Sequence, residues 1–96
     1  MNTASTFPVF IALQTNDDTR PIVETIVADN PHACVVEFPA MVKIDAVGGL
    51  VIRRSSVEER LGRSWNVQEL HLNLISLSGN IDETDDEFSL TWGARR

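Results

Sequence analysis

The chain has 96 residues, 43% of them hydrophobic and 23% charged, which fits one globular core and excludes a disordered or fibrous composition. Fourteen acidic against eight basic residues leave a formal charge of -6, which repels phosphate backbones and removes the usual basis of nucleic-acid binding. The single cysteine, Cys34, excludes an internal disulfide and a four-cysteine zinc site and fits a reducing cytoplasm; no run of about 18 apolar residues is present to span a membrane.

The opening Met1 to Thr6 is polar and lacks the apolar stretch of a secretory signal, so residues 1–7 are expected to form a flexible leader. Residues Pro8 to Gln14 alternate, with Val9, Ile11 and Leu13 on one face, and predict a first strand. Asn16 to Thr19 offers several N-caps and Pro21 follows in a first helical turn. Ile22 and Ile26, with Val23 and Val27 beside them, give a helical stripe that Asn30-Pro31 ends.

Ala33 to Phe38 and Ala40 to Ala46 read as two strands parted by Pro39, with a turn at Gly48-Gly49 and a further strand over Leu50 to Arg54. Ser55 and Ser56 each precede a glutamate by three residues, Glu58 and Glu59, so either register predicts a capping box for a short helix ending at Gly62. Glu69 to Ser78 alternates as one strand, and Phe88, Leu90 and Trp92 space the inward face of the last. The expected fold is α+β: two packed strand-helix-strand-strand halves, residues 8–46 and 50–93, in a single domain over 1–96.

A chain this small buries only roughly 60 to 65% of its unfolded surface, so a deep cavity would compete with its core and a surface function is favoured. No side-chain constellation contradicts this. Glu69 and His71, two apart on the predicted strand, share a face but lack a third metal ligand, and His71 reads as a surface histidine. The acids Asp82, Glu83, Asp85, Asp86 and Glu87 lack the glycine and flanking helices of a calcium loop and read as a solvated hairpin loop. Arg53, Arg54, Arg60 and Arg63 either pair with the interleaved Glu58 and Glu59 or orient the chain on an acidic partner. Cys34, with only His32 nearby, reads as a buried small hydrophobe, and Gly48-Gly49 is no phosphate cradle.

The most informative stretch runs from Leu70 to Asn80. Leu70, Leu72 and Leu74 take one face and Glu69, His71 and Asn73 the other. Ile75 and Leu77 then fall on the polar face, unless a bulge near Ser76 turns them. Aliphatic groups ringed by Ser76, Ser78 and Asn80 mark either a binding surface or a patch that another part of the chain covers.

Several segments, in order, carry a resemblance: Asp29-Asn30-Pro31-His32-Ala33, Phe38-Pro39-Ala40-Met41-Val42-Lys43-Ile44, Ser56-Val57-Glu58-Glu59-Arg60-Leu61-Gly62-Arg63 and Leu74-Ile75-Ser76-Leu77-Ser78-Gly79-Asn80. Together, from about Val9 to Trp92, the chain resembles the regulatory, or effector, proteins of bacterial multicomponent phenol hydroxylases, relatives of the corresponding components of toluene and methane monooxygenases. The resemblance implies a protein with no catalytic residues, metal or cofactor of its own. It would dock on the diiron hydroxylase, alongside an NADH-dependent reductase, and couple NADH and O2 consumption to hydroxylation of phenols to catechols. The family's interface strand matches Asn73, Ile75, Ser76 and Leu77, and the expected surface continues through Ser78, Gly79 and Asn80, with Arg53, Arg54 and the second helix as a candidate flank. In methane-type members the matching positions are mostly small and polar, so Ile75 and Leu77 are departures; the short leader also lacks the long tail of those members. The residues by themselves leave open a ferredoxin-like regulatory domain that binds a small molecule between its halves.

Overall fold

The computed structural model describes residues 7–92. Strand β1 (Pro8–Gln14) lies inside a four-stranded sheet in the order β2-β3-β1-β5, with β2 at Cys34–Phe38, β3 at Met41–Val47 and β5 at Leu74–Ser78. A second, three-stranded sheet has the order β4-β7-β6, with β4 at Leu50–Arg53, β6 at Asn80–Glu83 and β7 at Glu87–Thr91. All pairings are antiparallel. Helix α1 (Arg20–Asp29) packs against β4 and against helix α2 (Arg54–Leu61).

The two-residue period of the strands decides which side chains meet. Val9, Ile11 and Leu13 face Ala46, Ile44 and Val42 across the β1–β3 pair, while Leu50 and Ile52 face Leu90 and Phe88 across β4–β7; all are buried in one continuous apolar cluster. Ile22 and Ile26 of α1, Val57 of α2, and Trp65, Val67 and Leu70 complete it. Trp92, expected to face inward, is partly exposed beyond the end of β7, and its Nε1 donates to the Pro8 carbonyl at 2.8 Å.

The α+β class therefore holds, and residues 8–46 follow the expected strand, helix, strand, strand order. The second half is richer, with a 3-10 helix at Val67–Leu72 and three closing strands, the first of which, β5, joins the sheet of the first half. Of the expected leader, residues 1–6 lie outside the described residues, and Phe7 is exposed.

Two local expectations are corrected. Neither Ser55 nor Ser56 caps α2, because the helix starts at Arg54, directly from β4, with Arg53 as the cap residue. Its first N–H is satisfied instead by the Asp86 carbonyl at 2.8 Å. Glu58, freed from capping, accepts the Trp65 N–H at 2.9 Å and holds the chain that leaves Gly62, whose φ of 75° ends the helix as predicted. The acidic run is not one loop either: Asp82 and Glu83 belong to β6 and Glu87 to β7. Only 84–86 turn, where Thr84 Oγ1 accepts the N–H groups of Asp86 and Glu87, each at 3.2 Å.

Asn30 joins α1 to the second sheet. It is buried, its Nδ2 donates to Ile26 O at 2.9 Å and Val51 O at 2.8 Å, and its Oδ1 accepts the Val51 N–H at 3.0 Å. One side-chain amide thus serves both backbone groups of Val51 on the open edge of β4, as a neighbouring strand would. Replacing it leaves the Val51 N–H and C=O without their partner, while Ile26 O keeps the backbone N–H of residue 30, so Asn30→Ala should lower unfolding stability by about 1 to 3 kcal/mol, read from the midpoint of a urea melt at unchanged slope.

Candidate docking surface

β5 pairs with β1 on one side only and β6 pairs with β7 on one side only, so the run Leu74 to Glu83 forms the outer edge of first one sheet and then the other. Gly79 makes the crossing. Its φ is 138°, and a Cβ there would stand 2.9 Å from Val9 Cγ1, so glycine alone lets the strand change sheets while pressed on β1. At the other end Asn73 anchors the edge: its carbonyl accepts the Gln14 N–H at 2.9 Å, and its Oδ1 accepts Asn16 Nδ2 at the same distance.

Glu69 to Leu72, expected as the start of this strand, form the 3-10 helix instead. Val67 and Leu70, three apart, are its buried pair, whereas Leu72 is 76% exposed; the leucine alternation was coincidental with a period of three. A true capping box forms here, with Asn66 N–H donating to Glu69 Oε2 at 3.1 Å. Two residues apart on such a helix point about 240° apart, so Glu69 and His71 share no face. His71 is a half-exposed histidine, as expected, with Nε2 at 2.9 Å from Glu83 Oε1 and its ring edge on Phe88.

Within β5 the misplaced aliphatics separate. The register runs Phe10 to Ser78, Ile11 to Leu77 and Ala12 to Ser76, then jumps to Leu13 opposite Leu74, leaving Ile75 as an inserted residue in a β-bulge. Leu74 and Leu77 both turn to the core, while Ile75 is 48% exposed and Ser76 faces solvent. The bulge near Ser76 is therefore real, and it buries one of the two aliphatics and exposes the other. Asn80 is exposed, and Ser78 and Gly79 are partly so.

Ser76 and Ser78 also continue outward-facing rows that the sequence did not reveal. One row runs Val36, Lys43, Ala12, Ser76; the next runs Cys34, Asp45, Phe10, Ser78. Lys43 lies across them, its ammonium 4.6 Å from the Phe10 ring and 3.5 Å from Asp45. At the far edge Val36 and Phe38 are exposed, and Cys34 is exposed rather than buried, because β2 is an edge strand. The only hint in the sequence is that Cys34-Val35-Val36-Glu37-Phe38 fails to alternate.

Three of the four clustered arginines pair, though not with their neighbours: Arg54 reaches Asp86 at 3.2 Å, Arg60 reaches Glu24 at 3.8 Å and Arg63 reaches Glu69 at 3.9 Å. These are exposed pairs that tie α2 to other elements at small energetic gain. Among the described residues no group of three or more His, Cys, Asp or Glu is placed to hold a metal, and no helix is long and apolar enough to cross a membrane. A groove of about 620 Å³, open to solvent, is lined by polar groups including Asn66, Gln68, His71, Glu83 and Asp85, with no activated nucleophile.

The model of the MmoB/DmpM family matches residues 8–91. The stimulatory component DmpM of phenol 2-monooxygenase from Pseudomonas sp. (strain CF600) is 54% identical over 84 residues, covering 88% of this chain and 93% of that protein. A chain from the structure of a phenol hydroxylase–regulatory protein complex matches with a TM-score of 0.88 and 49% identity over 91% of this chain and all of that one. The soluble methane monooxygenase regulatory protein B has the same fold, with a TM-score of 0.71 at 23% identity over 90% of this chain and 65% of its own. The class is that of a regulatory component and not a catalytic subunit. The chain belongs to the MmoB/DmpM family, as the sequence resemblance implied.

The candidate residues divide by role, and stability measurements check the division. Leu77→Ala removes a side chain packed on the core and should cost about 1 to 3 kcal/mol, whereas Ile75→Ala should cost less than about 1 kcal/mol in the same denaturation assay.

Proposed function

We propose that this chain is the regulatory component of a multicomponent phenol hydroxylase. It docks on the diiron hydroxylase and couples NADH and O2 consumption, supplied through an NADH-dependent reductase, to hydroxylation of phenols to catechols. The observation that carries this reading is the 49% identity to a regulatory protein from a phenol hydroxylase complex, over the whole length of that chain. The chain acts as one domain over residues 1–96, in the cytoplasm, with no cofactor of its own.

Docking falls on the β5 edge and its crossing: Asn73, Ile75, Ser76, Leu77, Ser78, Gly79 and Asn80. Ile75, Ser76 and Asn80 are solvent-facing and supply contacts; Leu77 and Gly79 shape the edge from beneath. Short side chains at Ser76 and Ser78 leave a shallow edge on which a partner backbone can settle closely. Regulation requires differential affinity: the chain must bind one conformation of the hydroxylase better than another, since equal affinity for both would shift nothing.

The test is a titration of the purified protein into a phenol hydroxylase and its reductase, following catechol formed and NADH consumed. Product should rise and saturate at a fixed ratio to active sites, with less NADH wasted; flat traces would remove the reading. Ile75→Asp should fold normally yet weaken docking by roughly 2 to 5 kcal/mol, the range for a charge left unpaired in an interface, and so abolish stimulation at equimolar protein.

A further inference from the structure

The β1–β5 register is continuous on both sides of Ile75 and does not need it. Leu13 faces Leu74, Ala12 faces Ser76, Ile11 faces Leu77 and Phe10 faces Ser78, while Gln14 donates to Asn73 O beyond the bulge. With Ile75 taken out, Leu74, Ser76 and Leu77 would alternate inward, outward, inward against three consecutive residues of β1, as a regular strand does. Nor does the Ile75 side chain pack on the apolar cluster, which Leu74 and Leu77 reach instead. It is a β-branched aliphatic group half in water, on an edge strand, beside Ser76, Ser78 and Ala12.

We infer that Ile75 is an inserted residue carried for docking and not for folding: the bulge lifts one aliphatic knob beside the short side chains of Ser76 and Ser78, to enter an apolar recess on the partner. This rests on the reading above, in which the partner is the hydroxylase; the relative of the same fold found in a phenol hydroxylase complex gives that occupant its support. A bulge re-aims a side chain at the cost of a ladder position. Here the sheet gives up regular pairing at its edge and gains an exposed isoleucine, which in water is unfavourable by itself. Edge protection against strand pairing is the competing account, and a charged or polar residue would serve that purpose better than isoleucine.

The experiment compares the parent protein with a deletion of Ile75, with Ile75→Ala and with Ile75→Val. Thermal unfolding and size-exclusion chromatography are read first, then the concentration giving half-maximal stimulation of catechol formation. The deletion should fold with a midpoint within about 4 °C of the parent and remain the same size. Its half-maximal concentration, and that of Ile75→Ala, should rise at least about tenfold, equivalent to about 1.4 kcal/mol of docking, while Ile75→Val stays near the parent. A deletion that unfolds would show that the residue serves the sheet, and one that stimulates at the parent's concentration, self-associating or not, would leave edge protection or nothing; either result overturns the inference. Should the parent itself fail to stimulate, the functional reading falls first, while the melting of the deletion still decides whether the sheet needs Ile75.

Discussion

Leu74 and Leu77 must both reach the same side of a strand although they stand three residues apart. A regular strand sends residues separated by an odd number to opposite faces. The partners that demand the placement, Leu13 and Ile11 on β1, are themselves fully buried and two apart. Ile75 is the residue that sets them three apart, and its place outside the ladder returns them to one face; the consequences spread outward from it. The edge becomes irregular, one aliphatic side chain is left in water, and Ser76 and Ser78 stay in phase with the outward rows of the sheet. The surface that the family resemblance singles out is thus shaped by one residue more than the pairing with β1 uses.

Two sheets sharing one cluster need joints that keep them from sliding, and each joint here is made by a specific group. Gly79 allows the edge to pass from one sheet to the other in contact with Val9. Asn30 stands in for a strand beside Val51, and Glu58 catches the backbone at Trp65 after α2 has ended. Trp92 ties the end of the described chain to the start of β1. The bonds of Asn30 and Glu58 lie at buried or half-buried positions, where losing a partner costs more than making the bond gains. The exposed ion pairs around α2 add little beside them.

A regulatory component of this size acts through its surface because its interior is fully used. Side chains from both sheets and both helices fill the core, and the groove beside His71 and Glu83 is open and polar. What the fold presents outward is an open sheet face, a bulged edge and a projecting isoleucine. Such a surface can distinguish two conformations of a partner by fit, and that is the physical content of regulation by docking.

The sequence by itself determined the α+β class, the buried face of β1, the presence of β3 and β4, the inward Phe88 and Leu90 of β7, the α1 stripe and its stop at Asn30-Pro31, and the glycine that ends α2. Each is written in local periodicity or in residues with restricted backbones, so neighbours along the chain suffice to read it. It also located the anomaly at Ile75 and Leu77, because a break in alternation is visible without a fold. Only the tertiary structure decided which of the two is exposed, since that depends on the register against β1, some sixty residues away. The same reason explains why Glu69 to Leu72 form a 3-10 helix: the apolar alternation fitted a strand, and the placement of Val67 and Leu70 over the core overruled it. Cys34 is exposed because β2 is an edge, the caps of α2 come from Asp86, and β5 belongs to the first sheet. All three depend on which strands become neighbours, a matter of long-range pairing that local pattern does not encode.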